Sequence, residues 1–279
     1  MNNFIFEKLP PGVRRAYARW ASARIDRKLC NRERTFWLFI MGVNNSGTTI
    51  LSKILESSPE IRKLPGEGQF LTDALPVPHQ FGAGRLWSSR MDVFRWDEAH
   101  DPLPALQAKR DWAGLFTPGT GILLEKSPPN TLRSLWLQQN FRPSRFLAII
   151  RSPYAVCEGI TRRMRDYTTE QAAQHWLAAN RCMLGDLRGI EQSKVITYEE
   201  LTDDPIPCLS GVKDFLELKG PFDSSELGSV EAHSVDGNTV GLQNLNEKSF
   251  ERLSSEDVAT INRVCGELMG TLGYPLREK

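Results

Sequence analysis

Residues 42–49 read Gly-Val-Asn-Asn-Ser-Gly-Thr-Thr, a glycine-bounded loop with three hydroxyls and two side-chain amides. An apolar run, Phe36–Met41, leads into it, and Ile50, Leu51, Ile54 and Leu55 follow at helical spacing. Strand, loop, helix is the order that turns backbone N–H groups and the positive end of a helix toward an anion. The spacing Gly-x4-Gly fits a nucleoside-triphosphate loop, but Thr48 stands where that motif carries lysine. Without that ammonium, the loop suits a less charged phosphate–anhydride group better than a triphosphate with Mg²⁺. Asn44, Asn45, Ser46, Gly47, Thr48 and Thr49 are therefore candidate ligand contacts. A second candidate is Arg151, which ends the apolar run Phe146–Ile150 just before Ser152-Pro153. Ser152 suits a helix N-cap and Pro153 the first helical position, so the arginine sits beside another helix amino end.

These two junctions need strands that finish at the same edge of a sheet. Phe36–Met41, Gly121–Lys126, Arg145–Ile150 and Lys194–Tyr198 read as strands, the third continuously apolar after Arg145, as expected of a strand buried on both faces. Helical patterns fall near Thr131–Asn140, Tyr154–Met164, Glu170–Leu187, 206–217 and from Ser254 or Ser255 onward. The alternation predicts an α/β fold: a P-loop-like, three-layer arrangement with a central, mostly parallel sheet between helices. In such a sheet, loops at the carboxyl ends of strands line a common crevice. Residues 64–120 are rich in Gly, Pro, Trp, Asp and Arg with weak periodicity, the character of a pocket-shaping insertion.

At 279 residues, the chain reads as one large domain, residues 35–279, behind a basic helical arm, residues 1–34. The net charge of +1 excludes a globally basic nucleic-acid binder, and no nucleic-acid partner is expected. That charge is uneven: residues 1–34 carry a net of +6 and the remainder a net of −5. In the arm, Val13, Tyr17, Trp20, Ala21, Ile25 and Leu29 mark an apolar side of a helix from about Gly12 to Leu29. Packing on the domain is the simpler expectation; contact with an acidic glycan or an anionic membrane surface is the alternative. Five cysteines without a Cys-x-x-Cys pair suggest reduced thiols in a cytoplasmic setting. No apolar run approaches ~18 residues, so no transmembrane segment is expected. The four histidines show no metal-ligand spacing, and no metal is expected.

The loop Gly42–Thr49 resembles the sulfotransferase loop that binds the 5′-phosphosulfate of PAPS (3′-phosphoadenosine 5′-phosphosulfate). Phe146–Met164, with Arg151 and Pro153, resembles that family's 3′-phosphate segment, and Ile196–Leu201 is similar to its later Tyr-Glu-x-Leu element. Pro59-Glu60-Ile61-Arg62, Gly66-Glu67 and Leu272–Pro275 look most like the tyrosylprotein and related bacterial and glycan sulfotransferases. The resemblance implies in-line transfer of a sulfuryl group from PAPS to an acceptor hydroxyl, leaving 3′,5′-ADP, with no required metal. It places Arg151, Gly159 and Tyr198 among the nucleotide contacts and makes Glu67 the candidate base, with His79 second. Two positions depart from the family: Asn45 stands where it usually has a cation, and Gly159 where it has serine. Lys126 is the candidate replacement cation, and Thr161 or Arg162 a candidate substitute at the 3′-phosphate.

Trp87, Arg90, Arg95, Trp96, Arg110 and Trp112 suit a sugar-binding wall, which makes a carbohydrate or related metabolite the expected acceptor; they equally suit a small core of the insertion's own. Trp176 is a candidate neighbour of the adenine or acceptor, and Asn238–Arg252 a candidate basic lid. Two other classes stay open on the residues alone: a nucleotide kinase or NTPase using the same loop, and a non-catalytic nucleotide-binding scaffold. Thr48 counts against the first; Asn45 keeps the second alive.

Overall fold

The computed structural model describes residues 9–118, 121–220, 222, 233–235, 238–240 and 242–279. Five strands build the central sheet: β1 (Trp37–Met41), β2 (Ile61–Lys63), β3 (Ile122–Lys126), β4 (Ser144–Ile150) and β5 (Ser193–Thr197). Their order is β2-β3-β1-β4-β5, and every pairing is parallel. Trp37 lies level with Leu123 on one side and Ser144 on the other, so the carboxyl ends of β3, β1 and β4 reach the same edge together. The four strands expected from sequence are present. The three-residue β2 was not expected as a strand, since Ile61-Arg62-Lys63 is too short to show alternation.

Strand alternation sends successive side chains to opposite faces, and both faces are dry. Trp37, Phe39 and Met41 pack on one side with Phe146, Ala148 and Ile150; Leu38 and Ile40 pack on the other with Leu147 and Ile149. Along the chain, α1 is Pro11–Leu29 and α2 is Thr48–Glu56; within the insertion, α3 is Met91–Phe94 and α4 is Leu103–Trp112. Then come α5 (Ser134–Asn140), α6 (Pro153–Arg163), α7 (Thr169–Leu187), α8 (Tyr198–Asp203) and α9 (Pro205–Leu216). A two-stranded antiparallel hairpin, β6 (His233–Val235) with β7 (Asn238–Val240), precedes α10 (Asn246–Arg252) and α11 (Ser255–Leu272). Side chains of α6, α7 and α11 fill the first face, through residues such as Val156, Trp176 and Ile261. Those of α2, α8 and α9 fill the second, through Ile54, Leu201 and Val212. The result is the three-layer α/β fold expected from the strand–helix alternation.

Local chemistry fixes the helix starts. Thr168 and Gln171, Thr197 and Glu200, and Ser254 and Asp257 form reciprocal capping boxes at α7, α8 and α11. At α6, Pro153 takes the first helical position as expected, but the Ser152 side chain makes no capping bond; its backbone N–H donates to Glu199 Oε1 at 3.0 Å.

Helix α1 packs on α4, but not through the whole side that periodicity marks. Val13 and Trp20 are 48% and 54% exposed, whereas Ala18, Ala21, Ser22 and Asp26 are buried. The cause is a buried charge. Lys109 Nζ on α4 donates to Asp26 Oδ2 and Ser22 Oγ, both at 2.6 Å, and Trp37 Nε1 donates to Asp26 Oδ1 at 2.9 Å. Burial pushes the Lys109 ammonium down to about 8 against the pull of Asp26, and raises the Asp26 carboxyl against the pull of Lys109. No helix among the described residues is long and apolar enough to cross a membrane.

Candidate active site

Between β1 and α2 the chain must turn sharply without filling the space an anion would use. A Cβ on Gly42, at φ +151°, would lie 2.6 Å from Ile149 O; one on Gly47, at φ +100°, would lie 2.9 Å from Tyr198 Cδ2. Both positions therefore require glycine. Asn45 takes the left-handed conformation between them, at φ +68°. Ser46 Oγ donates to Val43 O at 2.7 Å, folding that hydroxyl into the loop, and Asn44 Oδ1 accepts from Trp87 Nε1 at 2.8 Å. No side chain caps α2, so its first-turn N–H groups face the crevice beside Thr48 and Thr49.

Arg151, directly after β4, is 6% exposed. Its Nη1 donates to Asn45 O at 2.9 Å, its Nε donates to Asn246 Oδ1 at 2.8 Å, and its guanidinium lies 3.8 Å above the Tyr198 ring. Burial lowers its pKa from the usual arginine value, with Tyr198 and Glu199 acting in the opposite sense. The Tyr-Glu element opening α8 is thus the bracket that seats this arginine. Tyr198 OH donates to Gln243 O at 2.8 Å and accepts from Leu245 N, while Glu199 holds Asn246 Nδ2 and accepts from Tyr274 OH at 2.9 Å. Trp176 Nε1 donates to Arg151 O at 2.9 Å from within the core.

Loop and arginine open onto one cleft of about 490 Å³, within the size range of ligand sites. Of the residues singled out from sequence, Asn44, Asn45, Gly47, Thr48, Thr49, Glu67, Lys126, Arg151 and Gly159 line it. Ser46 and Tyr198 do not: both are wholly buried, one folded into the loop and the other beneath Arg151. His79 and Thr161 also lie outside the lining; the Thr161 hydroxyl turns back to Cys157 O at 3.1 Å. Arg162 lines the cleft but pairs with Glu158 at 2.7 Å. Lys248, Ser249 and Arg252 on α10 line it too, in the described part of the segment expected to be a lid. Arg85 and Arg163 were missed. Arg85 belongs to no local motif, and Arg163, although inside the segment Phe146–Met164, had no signal of its own; tertiary folding brings both to the cleft.

Seven cationic side chains and two carboxylates face this cleft. Such crowding of like charge is costly without an anion between the groups. Arg163 registers it: partial burial and the neighbouring Arg85, Arg162 and Arg151 all lower its pKa.

At the far wall, Lys126 Nζ donates to Glu67 Oε1 at 2.7 Å, and Gln69 Nε2 donates to Glu67 Oε2 at 2.8 Å. Lys126 is therefore committed to Glu67 in this structure, not to the loop. Behind them Glu125, buried in β3, accepts from Gly68 N at 2.9 Å and from Ser127 Oγ and Asn130 Nδ2. Arg133 Nε closes the network on Asn130 Oδ1 at 2.9 Å. Desolvation raises the Glu125 carboxyl and pushes Arg133 down to about 10. This buried network fixes the backbone that carries Glu67. A glutamate inside an otherwise apolar strand was the available sequence signal.

The expected aromatic wall is not formed. Trp87, Trp96 and Trp112 are buried in the main core, Arg95 pairs with Asp186 at 2.6 Å, and Arg90 pairs with Asp92. Among the described residues, no group of three or more His, Cys, Asp or Glu is arranged as a metal site.

A parallel sheet with a glycine loop and a seated arginine at adjacent strand ends defines a P-loop-like α/β protein with a cleft whose charged side chains are mainly cationic. Residues 38–223 match the Sulfotransferase family, and the chain belongs to that family. The fold is shared with the sulfotransferase domain from the Synechococcus PCC 7002 olefin synthase, at 20% identity and a TM-score of 0.56 over 87% of this chain and 96% of that one. The sulfotransferase domain from the curacin biosynthetic pathway follows at 20% identity and a TM-score of 0.52, over 86% and 98% of the two chains. Mouse sulfotransferase SULT7A1 complexed with PAP shows 11% identity and a TM-score of 0.50, over 89% and 90%. No curated protein sequence matches the chain.

Proposed function

We propose that the cleft binds PAPS and passes its sulfuryl group to an acceptor hydroxyl. The observation that carries this reading is the bond from Arg151 Nη1 to Asn45 O, which ties the phosphate loop to the arginine on the floor of a seven-cation cleft. A nucleotide with anionic groups at both its 3′ and 5′ positions matches that pairing of anion sites. The mouse relative complexed with PAP supports the same donor.

In the transfer, the acceptor oxygen attacks sulfur as the bond from sulfur to the bridging phosphate oxygen breaks. That bond's electron pair leaves with the phosphate, and a new S–O bond forms on the acceptor. The acceptor proton passes to Glu67, which Lys126 and Gln69 hold at the wall facing the loop. Backbone N–H groups and the hydroxyls of Thr48 and Thr49 receive the developing charge.

The acceptor we propose is a hydroxyl of a carbohydrate or a related polar metabolite, although the tryptophans lend that assignment no support. Its support is a hollow of about 240 Å³ beside the cleft, which shares Thr49, Glu67 and Lys126 with it and adds Ser52, Lys53, Glu56 and Lys63. Leu64, Pro65 and Leu124 also line it, so the hollow offers hydroxyl and charged groups beside an apolar face, which suits a small molecule carrying both, as a sugar ring does. The test is incubation with sulfuryl-labelled PAPS and pooled polyhydroxylated acceptors. Label in an acceptor, matched by equal release of 3′,5′-ADP, is the expected result. Binding of 3′,5′-ADP without transfer to any acceptor would make the chain a nucleotide-binding scaffold instead.

A further inference from the structure

The loop carries no cation of its own, yet one is delivered to it. On α6, Gly159 and Arg163 are four residues apart and so share one face of the helix. Gly159 presents bare backbone to Asn45: a Cβ there would lie 3.0 Å from Asn45 Cγ and 3.1 Å from Nδ2. The amide of Asn45 rests in that space, and one turn on, Arg163 Nη1 donates to Asn45 Oδ1. The other end of the amide, Nδ2, is buried with no hydrogen-bond partner among the described residues.

We infer that Arg163 supplies the positive charge at the phosphosulfate end of the site, held there by Asn45 in the seat that Gly159 leaves open. The inference rests on the PAPS reading above and deepens it. Three features support it. Arg163 and Asn45 both line the cleft, so a guanidinium bonded to Asn45 Oδ1 stands beside the α2 amino end. Lys126, the other basic side chain considered for this role, is occupied by Glu67 at 2.7 Å. Arg151 is held from another side, through the Asn45 carbonyl, Asn246 and Tyr198, which leaves the two arginines to serve different parts of one ligand. Arg163 is exposed at the rim of the cleft, where its guanidinium can donate to an anion oxygen as well as to Asn45.

Three nucleotides separate the ends: 3′,5′-ADP, 5′-AMP and 3′-AMP, titrated calorimetrically without metal. Arg163→Ala should weaken 5′-AMP and 3′,5′-ADP about tenfold, as for loss of a solvent-facing charge-assisted contact, and leave 3′-AMP within about twofold. Arg163→Lys should keep most of the affinity, and millimolar guanidinium should restore part of what Arg163→Ala loses. A merely structural role would produce neither effect. Gly159→Ala, which crowds Asn45, should also weaken 5′-AMP, by less than Arg163→Ala does. Unchanged 5′-AMP affinity in Arg163→Ala, or an equal loss for all three nucleotides, would overturn the inference while leaving the PAPS reading standing. If the unaltered protein binds none of the three, the PAPS reading fails first and takes this one with it.

Discussion

Replacing Arg151 with alanine should separate two nucleotides that differ only in a 3′-phosphate. A charge-assisted bond contributes about 1.5–3 kcal/mol, so losing one to that phosphate should weaken 3′,5′-ADP by about 10–150-fold. The substitution has a second effect, visible in the contacts of the side chain. Arg151 also donates to Asn45 O and Asn246 Oδ1 and covers the Tyr198 ring, so its removal slackens the loop that receives the 5′ end. That slackening acts on the 5′ end, which both nucleotides share, so it weakens them alike and cancels in their ratio. The ratio of the two losses should therefore still exceed about tenfold. Isothermal titration of each ligand measures it, with Arg151→Met as a control that keeps an apolar stem over Tyr198. Equal losses for the two ligands would refute the assignment of Arg151 to the 3′-phosphate.

Other outcomes follow from the same geometry. Glu67→Gln should lower kcat by about a hundredfold or more, as expected for loss of a general base, with 3′,5′-ADP affinity unchanged; an active Glu67→Gln enzyme would move the base elsewhere. Gly42→Ala should destabilise the protein by more than ~1 kcal/mol, because its Cβ would meet Ile149 O at 2.6 Å in a left-handed backbone; denaturant midpoints check this. The buried Lys109 predicts a pH dependence. Its folded pKa, about 8, lies below the unfolded value near 10.5, so the unfolded chain binds more protons between those limits and stability rises with pH there. The gain approaches ~3 kcal/mol at about 1.4 kcal/mol per pKa unit. The nearby Cys30 thiol, pushed up from 9.0 to about 12, works the other way above pH 9, because the unfolded chain releases its proton there while the folded protein keeps it; the comparison must therefore be between two proteins that both carry Cys30. Melting curves of the native protein against an Asp26→Asn/Lys109→Met double variant should show the difference growing in favour of the native protein from pH 8 to 10; a constant difference would contradict it.

The glycine loop after β1 and the strand-end position of Arg151 were legible in sequence because each is a local event: an apolar strand, a turn residue and a helix start within a dozen positions. The fold was legible for the same reason, since Phe36–Met41 and Phe146–Ile150 can be buried only on both faces of a sheet. Convergence was not legible. Arg85 reaches the cleft from the insertion with nothing in its neighbours to mark it, and the segment Phe146–Met164 gave no sign that Arg163 would turn to the loop. Periodicity turned α1 partly the wrong way because it cannot register a buried ion pair: Asp26 and Ser22 face inward toward Lys109, and Trp20 faces out. Trp87, Trp96 and Trp112 illustrate the converse difficulty. An aromatic suits a sugar wall and a core equally, and only the fold decides between them. The two departures at Asn45 and Gly159 look independent in the chain, 114 positions apart, yet they touch in the structure.

The central claim is that the cleft is built for a 3′-phosphorylated nucleotide and not for a triphosphate. Thermal unfolding with 3′,5′-ADP in the absence of metal, set against ATP–Mg²⁺ at equal concentration, tests it directly. At a hundred times its Kd, 3′,5′-ADP should stabilise the protein by about 2.7 kcal/mol, and ATP–Mg²⁺ should give a clearly smaller shift. Stabilisation by ATP–Mg²⁺ with none from 3′,5′-ADP would contradict the account.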